Sequence, residues 1–370
     1  MRVLMISKAC LVGQYQQKLE AIAKYEDIEL VVAVPPTWRD GTREIRLERA
    51  YTAGYELVVE PIAFNGDFHL HLYPRLGQLV RTFAPDIVHI DEEPYNLATL
   101  HALWLARREH ARALWFSWQN LKRSYPLPFR LIERHSLKYA AYSIVGSEGS
   151  ASVWREKGYS GPMSVIPQFG VSPDVFFPRK QDSSVSQSYV IGYVGRLVRE
   201  KGVDLLLEAL AGMSGSWRLV VAGTGPERRT LEVLAQRQGL GDRVSFKGQI
   251  PSLRMPAFYR GLDFLVVPSR SRPSWVEQFG RVLVEAMASG VVVIGSDCGE
   301  IRGVLGDAGL VFAEEDEVGL RGCLTQVMRD SDLRADLARR GRERVLERFT
   351  QAQIARQTVE VYRRMMEVGL

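Results

Sequence analysis

Short apolar runs alternate with amphipathic stretches along almost the whole chain. In the first half, Val3–Ile6, Leu30–Val34, Asp86–Ile90, Leu114–Ser117 and Ser143–Val145 read as strands, and Gln17–Lys24 carries a helical pattern. The series restarts at Tyr189–Val194 and continues through Trp217–Ala222, Val244–Lys247, Phe264–Val267, Val291–Gly295 and Leu310–Phe312, with a helix over Asp204–Ala211. Strands alternating with helices predict parallel βαβ units and an α/β sheet. Ligands in such sheets sit beyond the carboxyl ends of the strands. Between the two series lie Pro167, Pro173 and Pro178, then the polar stretch Gln181–Gln187, a linker composition. The expected organisation is an N-terminal Rossmann-like domain over 1–170, a linker over 171–188, a C-terminal Rossmann-like domain over 189–350 and a last helix within 351–370. Two such domains would face a central cleft.

The 370 residues suffice for two domains with separate cores. A hydrophobic content of 46% and a charged content of 25% are ordinary for a globular enzyme. The formal net charge of +5 suits anionic ligands or an anionic membrane surface and is too mild to argue for nucleic acid. Cys10, Cys298 and Cys323 are few, odd in number and far apart, so neither a disulfide framework nor a zinc spacing follows, and a cytoplasmic location is expected. The opening Met1–Leu11 reads as a strand broken by Lys8 rather than a signal peptide. No apolar run approaches a membrane span; peripheral contact at the inner face of a membrane stays open.

The densest chemistry lies in 269–290. A loop carrying Glu277 runs into a helix that opens after Gly280, contains Glu285 and stops at Gly290. Two carboxylates therefore flank a helix N-terminus, where free N–H groups and the helix dipole favour an anion. Their spacing corresponds to roughly 12 Å of helical rise, which matches a ligand with hydroxyls at both ends and phosphates between. The competing reading is an amphipathic helix with one exposed and one capping Glu. A second anchor follows the strand ending at Gly195: Arg196 offers a planar fork for phosphate oxygens, and Lys201 a point charge near the next helix. The turn Gly223-Thr224-Gly225-Pro226 begins like a dinucleotide fingerprint, but Arg228 stands where a third Gly is wanted.

Glu277-x7-Glu285, with its Pro-Ser, Gln-Phe-Gly and Glu-Ala-Met-Ala-x-Gly surroundings, resembles the motif of retaining GT-B glycosyltransferases of the family 4, group 1 type. The resemblance is strong over Tyr189–Phe312 and weaker over the N-terminal half. It implies two Rossmann-like domains around a cleft, with the C-terminal helix, Gln351–Met366, crossing back onto the first domain. It also implies transfer of a hexose-type sugar from a nucleotide-diphosphate donor to a hydroxyl acceptor (lipid, glycan or small molecule), with retention and with neither metal nor cofactor. Carried over, Arg196 and Lys201 would hold the donor diphosphate beside Gly195. Glu285 would bind the ribose, Glu277 would face the hexose or the reacting centre, and the amides of Phe279 and Gly280 would touch sugar or phosphate. Gly13 would lie in a loop near donor and acceptor. A His usual in the family is replaced by position with Gln119, which can hydrogen-bond but cannot shuttle protons. Asn120 and Glu93 are the acceptor-side candidates. Glu93, in Asp91-Glu92-Glu93, either holds acceptor hydroxyls or caps the helix starting near Asn96. His69 and His71 alternate as on an extended segment and lack further ligands for a metal. Arg43, Arg46, Arg49, Arg112, Lys122 and Arg123 read as solvated surface, the alternative being a basic face toward phospholipid or an anionic acceptor. The competing functions are a sugar-nucleotide epimerase or hydrolase on the same fold, and a non-catalytic sugar-nucleotide binding protein.

Overall fold

The computed structural model describes residues 1–41, 43–179 and 188–367. The stretch Gln181–Gln187 of the expected linker lies outside the described residues. The chain divides into two compact units, Met1–Gly170 with Gln351–Leu370, and Val171–Thr350. Residues 171–179 group with the second unit: Val171 bridges to Thr350, and the buried Phe176 has its carbonyl bound by Arg342 Nη1 at 2.7 Å.

In the first unit, β1 (Arg2–Ile6), β2 (Glu29–Val34), β5 (Glu56–Val59), β6 (Ile87–Ile90), β7 (Arg112–Ser117), β8 (Tyr142–Val145) and β9 (Met163–Val165) form a parallel sheet in the order β5-β2-β1-β6-β7-β8-β9. A small antiparallel hairpin, β3 (Thr37–Asp40) with β4 (Arg43–Arg46), stands apart. Both faces of the sheet are buried, which is why its strands read as unbroken apolar runs rather than alternating ones. Val3 and Met5 point to one face, with Val32, Leu114 and the C-terminal helix Gln351–Glu367; Leu4 and Ile6 point to the other, against helices Leu76–Phe83 and Leu97–Arg108.

In the second unit, β10 (Tyr189–Val194), β11 (Trp217–Ala222), β12 (Val244–Gly248), β13 (Phe264–Val267), β14 (Val292–Ser296) and β15 (Leu310–Phe312) form a parallel sheet in the order β12-β11-β10-β13-β14-β15. Its core joins Ile191, Leu206, Leu219, Phe264, Ile294 and Leu324.

Each sheet reverses its direction of winding once. In the first unit the chain leaves β1 toward β2 on one side and later returns to β6 on the other. In the second, β10 leads to β11, and β13 lies across β10. These two switch points leave crevices at the carboxyl ends of β1/β6 and of β10/β13, the positions where open α/β sheets bind ligands.

Candidate functional site

The loops beyond β10 and β13 bring the second unit's charged residues together. After β10, Arg196 is exposed, and a 3-10 turn over Arg199–Lys201 ends at Gly202. Gly202 has φ +66°, and a Cβ there would lie 1.9 Å from the Pro268 carbonyl oxygen, so the two loops touch backbone to backbone only because this residue is glycine. Across that contact Lys201 Nζ donates to Glu277 Oε2 at 2.5 Å, and Ser269 Oγ donates to the same oxygen at 3.2 Å. The ammonium of Lys201 also lies over the Trp275 ring, 4.6 Å from its centroid. Gly299 packs on the Glu277 backbone, whose carbonyl accepts from Glu300 N at 3.1 Å. Glu277 is thereby held in a loop that has no regular structure of its own.

The helix Arg281–Ala288 begins immediately afterwards. Gly280 precedes it with φ +71°, a left-handed entry that turns the loop into the helix. Phe279 is buried against Phe349, with ring centroids 5.7 Å apart. Glu285 sits in the second turn and is buried. Its Oε2 accepts from Tyr259 Oη at 2.9 Å, and its Oε1 pairs with Arg281 Nε at 2.9 Å. Burial pushes the Glu285 carboxyl above its ordinary range, while Arg281 and Tyr259 oppose the shift. The two acids of the sequence motif thus have different surroundings: Glu277 is paired with a lysine at the crevice, whereas Glu285 is enclosed in a hydrogen-bonded pocket. Gly195 directly follows β10, its N–H donating to the Ala222 carbonyl at 3.0 Å.

The first unit holds the remaining candidates. Glu93 follows β6 and accepts from Ser117 Oγ at 2.6 Å and from Trp118 N at 2.9 Å. Burial pushes Glu93 up to about 7, against the pull of those hydrogen bonds. The helix after it is entered through the Glu93 backbone, whose carbonyl accepts from Asn96 N at 3.1 Å and Thr99 Oγ1 at 2.7 Å; the carboxylate does not cap it. Gln119 is buried and its amide is engaged at both ends. Nε2 donates to the Leu121 carbonyl at 2.9 Å, and Oε1 accepts from Tyr125 Oη at 3.4 Å and Lys157 Nζ at 3.5 Å. These bonds tie it to its own loop and to the end of helix Glu148–Glu156. Asn120, beside it, is partly buried. Gly13 lies not at the end of β1 but in a separate 3-10 turn, Gly13–Gln16, and its N–H donates to Glu48 Oε2 at 2.7 Å. The Gly13 amide is thus occupied by a carboxylate.

At the β1/β6 crevice itself the sequence left more unread. Ser7 Oγ donates to Asp91 Oδ2 at 2.5 Å, Gln168 Nε2 donates to Asp91 Oδ1 at 2.9 Å, and Trp118 Nε1 donates to Gln168 Oε1 at 2.8 Å. Lys8 pairs with the fully buried Glu92, and His71 Nε2 lies 3.5 Å from the same carboxylate. Burial alone would raise Glu92, but Lys8 and His71 more than offset it and hold the group down at about 2. His71 is therefore an interior partner of Glu92, while His69 packs among Tyr95, Tyr125 and Phe129. Among the described residues no group of three or more His, Cys, Asp or Glu is placed to hold a metal ion. Arg112 opens β7 whereas Lys122 and Arg123 follow its far end, so they form no common basic face.

Ser269, Tyr259 and Trp275 were not singled out in the sequence. A lone Ser or Tyr on an apolar stretch gives no sign of which carboxylate it will reach. Only for Ser269, which follows a predicted strand at its carboxyl end, was there a positional hint.

Two Rossmann-like units, each with a polar crevice at its switch point, define an α/β protein of the architecture seen in GT-B glycosyltransferases. HepE of Anabaena, solved in complex with UDP, superposes with a TM-score of 0.74 at 19% identity, over 98% of this chain and 100% of that one. Residues 176–344 match the family model described as Glycosyl transferases group 1. The lipopolysaccharide core biosynthesis mannosyltransferase LpsB of Rhizobium meliloti is 32% identical over 188 residues, 48% of this chain and 52% of that protein. The lipopolysaccharide core biosynthesis mannosyltransferase LpcC of Rhizobium leguminosarum is 26% identical over 291 residues, 70% of this chain and 80% of that protein. The chain spans about half the length of the curated relatives it matches first.

Proposed function

We propose that this protein transfers a hexose-type sugar from a nucleoside-diphosphate donor to a hydroxyl acceptor, with retention at the anomeric carbon and without a metal ion. The observation that carries the reading is the Lys201–Glu277 pair at the β10/β13 switch point, with the exposed Arg196 on the same loop as Lys201. A diphosphate needs opposite charge. Arg196, Lys201 and the N-terminus of helix Arg281–Ala288 are the groups that would supply it. In this reading the donor diphosphate competes for Lys201, and the Glu277 carboxylate is released to accept hydrogen bonds from sugar hydroxyls. Ser269 keeps it in place during the exchange. Glu285, fixed by Tyr259 and Arg281, takes the ribose hydroxyls. HepE, a neighbour in fold, was solved with UDP, which fits a nucleoside diphosphate as the donor moiety.

Retention follows from front-face displacement, in which the departing diphosphate takes the proton of the incoming acceptor hydroxyl. The protein then acts by positioning and by stabilising the charge that develops on the leaving group. Gln119, engaged at both ends of its amide, supports the acceptor loop and transfers no proton. The test is turnover of a nucleotide-sugar panel, read by nucleoside-diphosphate release and by NMR of the anomeric configuration, with and without EDTA. Glu277→Gln should lose at least about a hundredfold in kcat, the scale of one lost transition-state contact, while still binding nucleoside diphosphate. Inversion, or activity abolished by EDTA, would overturn the chemistry. Donor binding without transfer would leave a sugar-nucleotide binding protein.

A further inference from the structure

Helices Leu97–Arg108 and Phe129–Tyr139 pack against each other on the outside of the first unit. Their inner residues, Ala102, Leu105, Ala106 and Ile132 among them, are buried. The outward arc is unusual. Leu131 is 54% exposed, Trp104 52% and Leu127, just before the second helix, 60%. Globular surfaces expose single apolar residues freely, but these three lie on one pair of neighbouring elements. Exposed cations stand between them: Arg107 and Arg108 on the first helix, Arg130, Arg134 and Lys138 on the second.

On the second helix Arg130, Arg134 and Lys138 follow one another at intervals of four, so they share one face, and Leu131 falls beside them. Among the described residues these three cations have no acidic partner. The helix's one carboxylate, Glu133, is turned to Lys157 at 2.6 Å. The helices are joined at the surface by Tyr139, whose ring lies 3.9 Å from the Arg107 guanidinium and 5.1 Å from Lys138 Nζ. Lys138 and Arg107 together pull the Tyr139 hydroxyl below its ordinary value. Arg108 extends over the Trp104 ring at 5.7 Å.

We infer that this face docks onto an anionic lipid bilayer. A soluble polyanion would be met by cations alone and would leave Trp104, Leu127 and Leu131 in water. A lipid surface takes both sets at once: apolar and aromatic tips enter the headgroup boundary while Arg and Lys stay at the phosphates, their alkyl stems lying along the apolar layer. Among the described residues no helix is long and apolar enough to cross a membrane, so attachment by this face is interfacial and reversible. The inference is independent of the donor-site reading, because it uses none of the residues placed in that site.

The test is co-sedimentation of the full chain with vesicles of phosphatidylcholine alone and of phosphatidylcholine mixed with phosphatidylglycerol. The expected result is binding to the anionic vesicles only, weakened by salt. The triple change Arg130→Glu, Arg134→Glu, Lys138→Glu should reduce partitioning by on the order of a hundredfold or more, since each cation near the surface contributes about fivefold. Trp104→Ser with Leu131→Ser should reduce it as clearly, with the charge intact. All the altered side chains are exposed, so unchanged thermal melting separates lost docking from lost folding. Failure of the wild type to sediment with anionic vesicles overturns the inference. So does loss in the charge variant with full binding in the Trp104/Leu131 variant, because attachment by charge alone would mean that the apolar tips do not enter the headgroup boundary.

Discussion

Glu93 shows what burial does to a single group here. Its carboxylate is fixed by Ser117 Oγ and Trp118 N, yet burial dominates and lifts it from the ordinary 4.5 to about 7. A raised carboxyl pKa means that the folded state holds the proton more tightly than the unfolded chain. The associated stabilisation is complete below about 4.5 and is lost as pH rises through about 7, in total about 3 kcal/mol. Glu93→Gln removes that titration. Urea unfolding at pH 5 and pH 8 should show wild type losing stability relative to the variant over this interval. Parallel curves would mean that Glu93 titrates as an exposed acid. At this scale the sequence located the acids but not their states. Glu277 and Glu285 were legible from their spacing. That one would be paired with Lys201 and Ser269 and the other closed in by Tyr259 depends on residues far away in the chain, and no local pattern encodes it. Gln119 was legible as a departure from the family, but its internal partners were not.

The elements that hold these residues were largely readable, because a strand buried on both faces writes itself as an apolar run. Tyr189–Val194, Trp217–Ala222, Phe264–Val267 and Leu310–Phe312 lie where the pattern put them. The strands missed were Glu56–Val59 and Met163–Val165, short strands at the two edges of the first sheet, and the hairpin Thr37–Asp40/Arg43–Arg46. Edge strands are only half covered, so their polar positions hide the period. The 3-10 turn Gly13–Gln16 was not legible as such, because four residues leave no periodic signature. The loop contact at Gly202 offers the clearest element-scale test. Gly202→Ala must place a Cβ into the Pro268 carbonyl at a left-handed φ. It should cost at least about 2 kcal/mol and loosen the loop that carries Lys201. Urea midpoints measure the first effect and nucleoside-diphosphate affinity the second. An unperturbed variant would show that the two loops are not locked together.

For the molecule as a whole, the last helix decides which residues make a folding unit. Gln351–Glu367 follows the second unit in sequence yet completes the core of the first, where Ile354, Val359, Val361, Tyr362 and Met365 are buried. Tyr362 Oη lies 2.6 Å from His89 Nδ1, and Arg363 Nη2 pairs with Asp27 Oδ1 at 2.9 Å. Exposing those five side chains forfeits on the order of 10 kcal/mol, comparable with the entire stability of a domain. A chain ending at Thr350 should therefore lose the cooperative unfolding of its first unit while the second still melts as a unit in calorimetry. Two intact transitions would contradict the assignment of the helix. The central claim concerns the second unit: the β10/β13 crevice takes a nucleoside diphosphate. Its most direct test is titration calorimetry of UDP, GDP, ADP and CMP against the full chain and against Arg196→Ala, an exposed change that leaves the core untouched. The account predicts binding of one nucleoside diphosphate, weakened in the variant by about 1.5 to 3 kcal/mol, the contribution of a hydrogen bond to a charged group. No binding by any diphosphate, or equal affinity in both proteins, would contradict it.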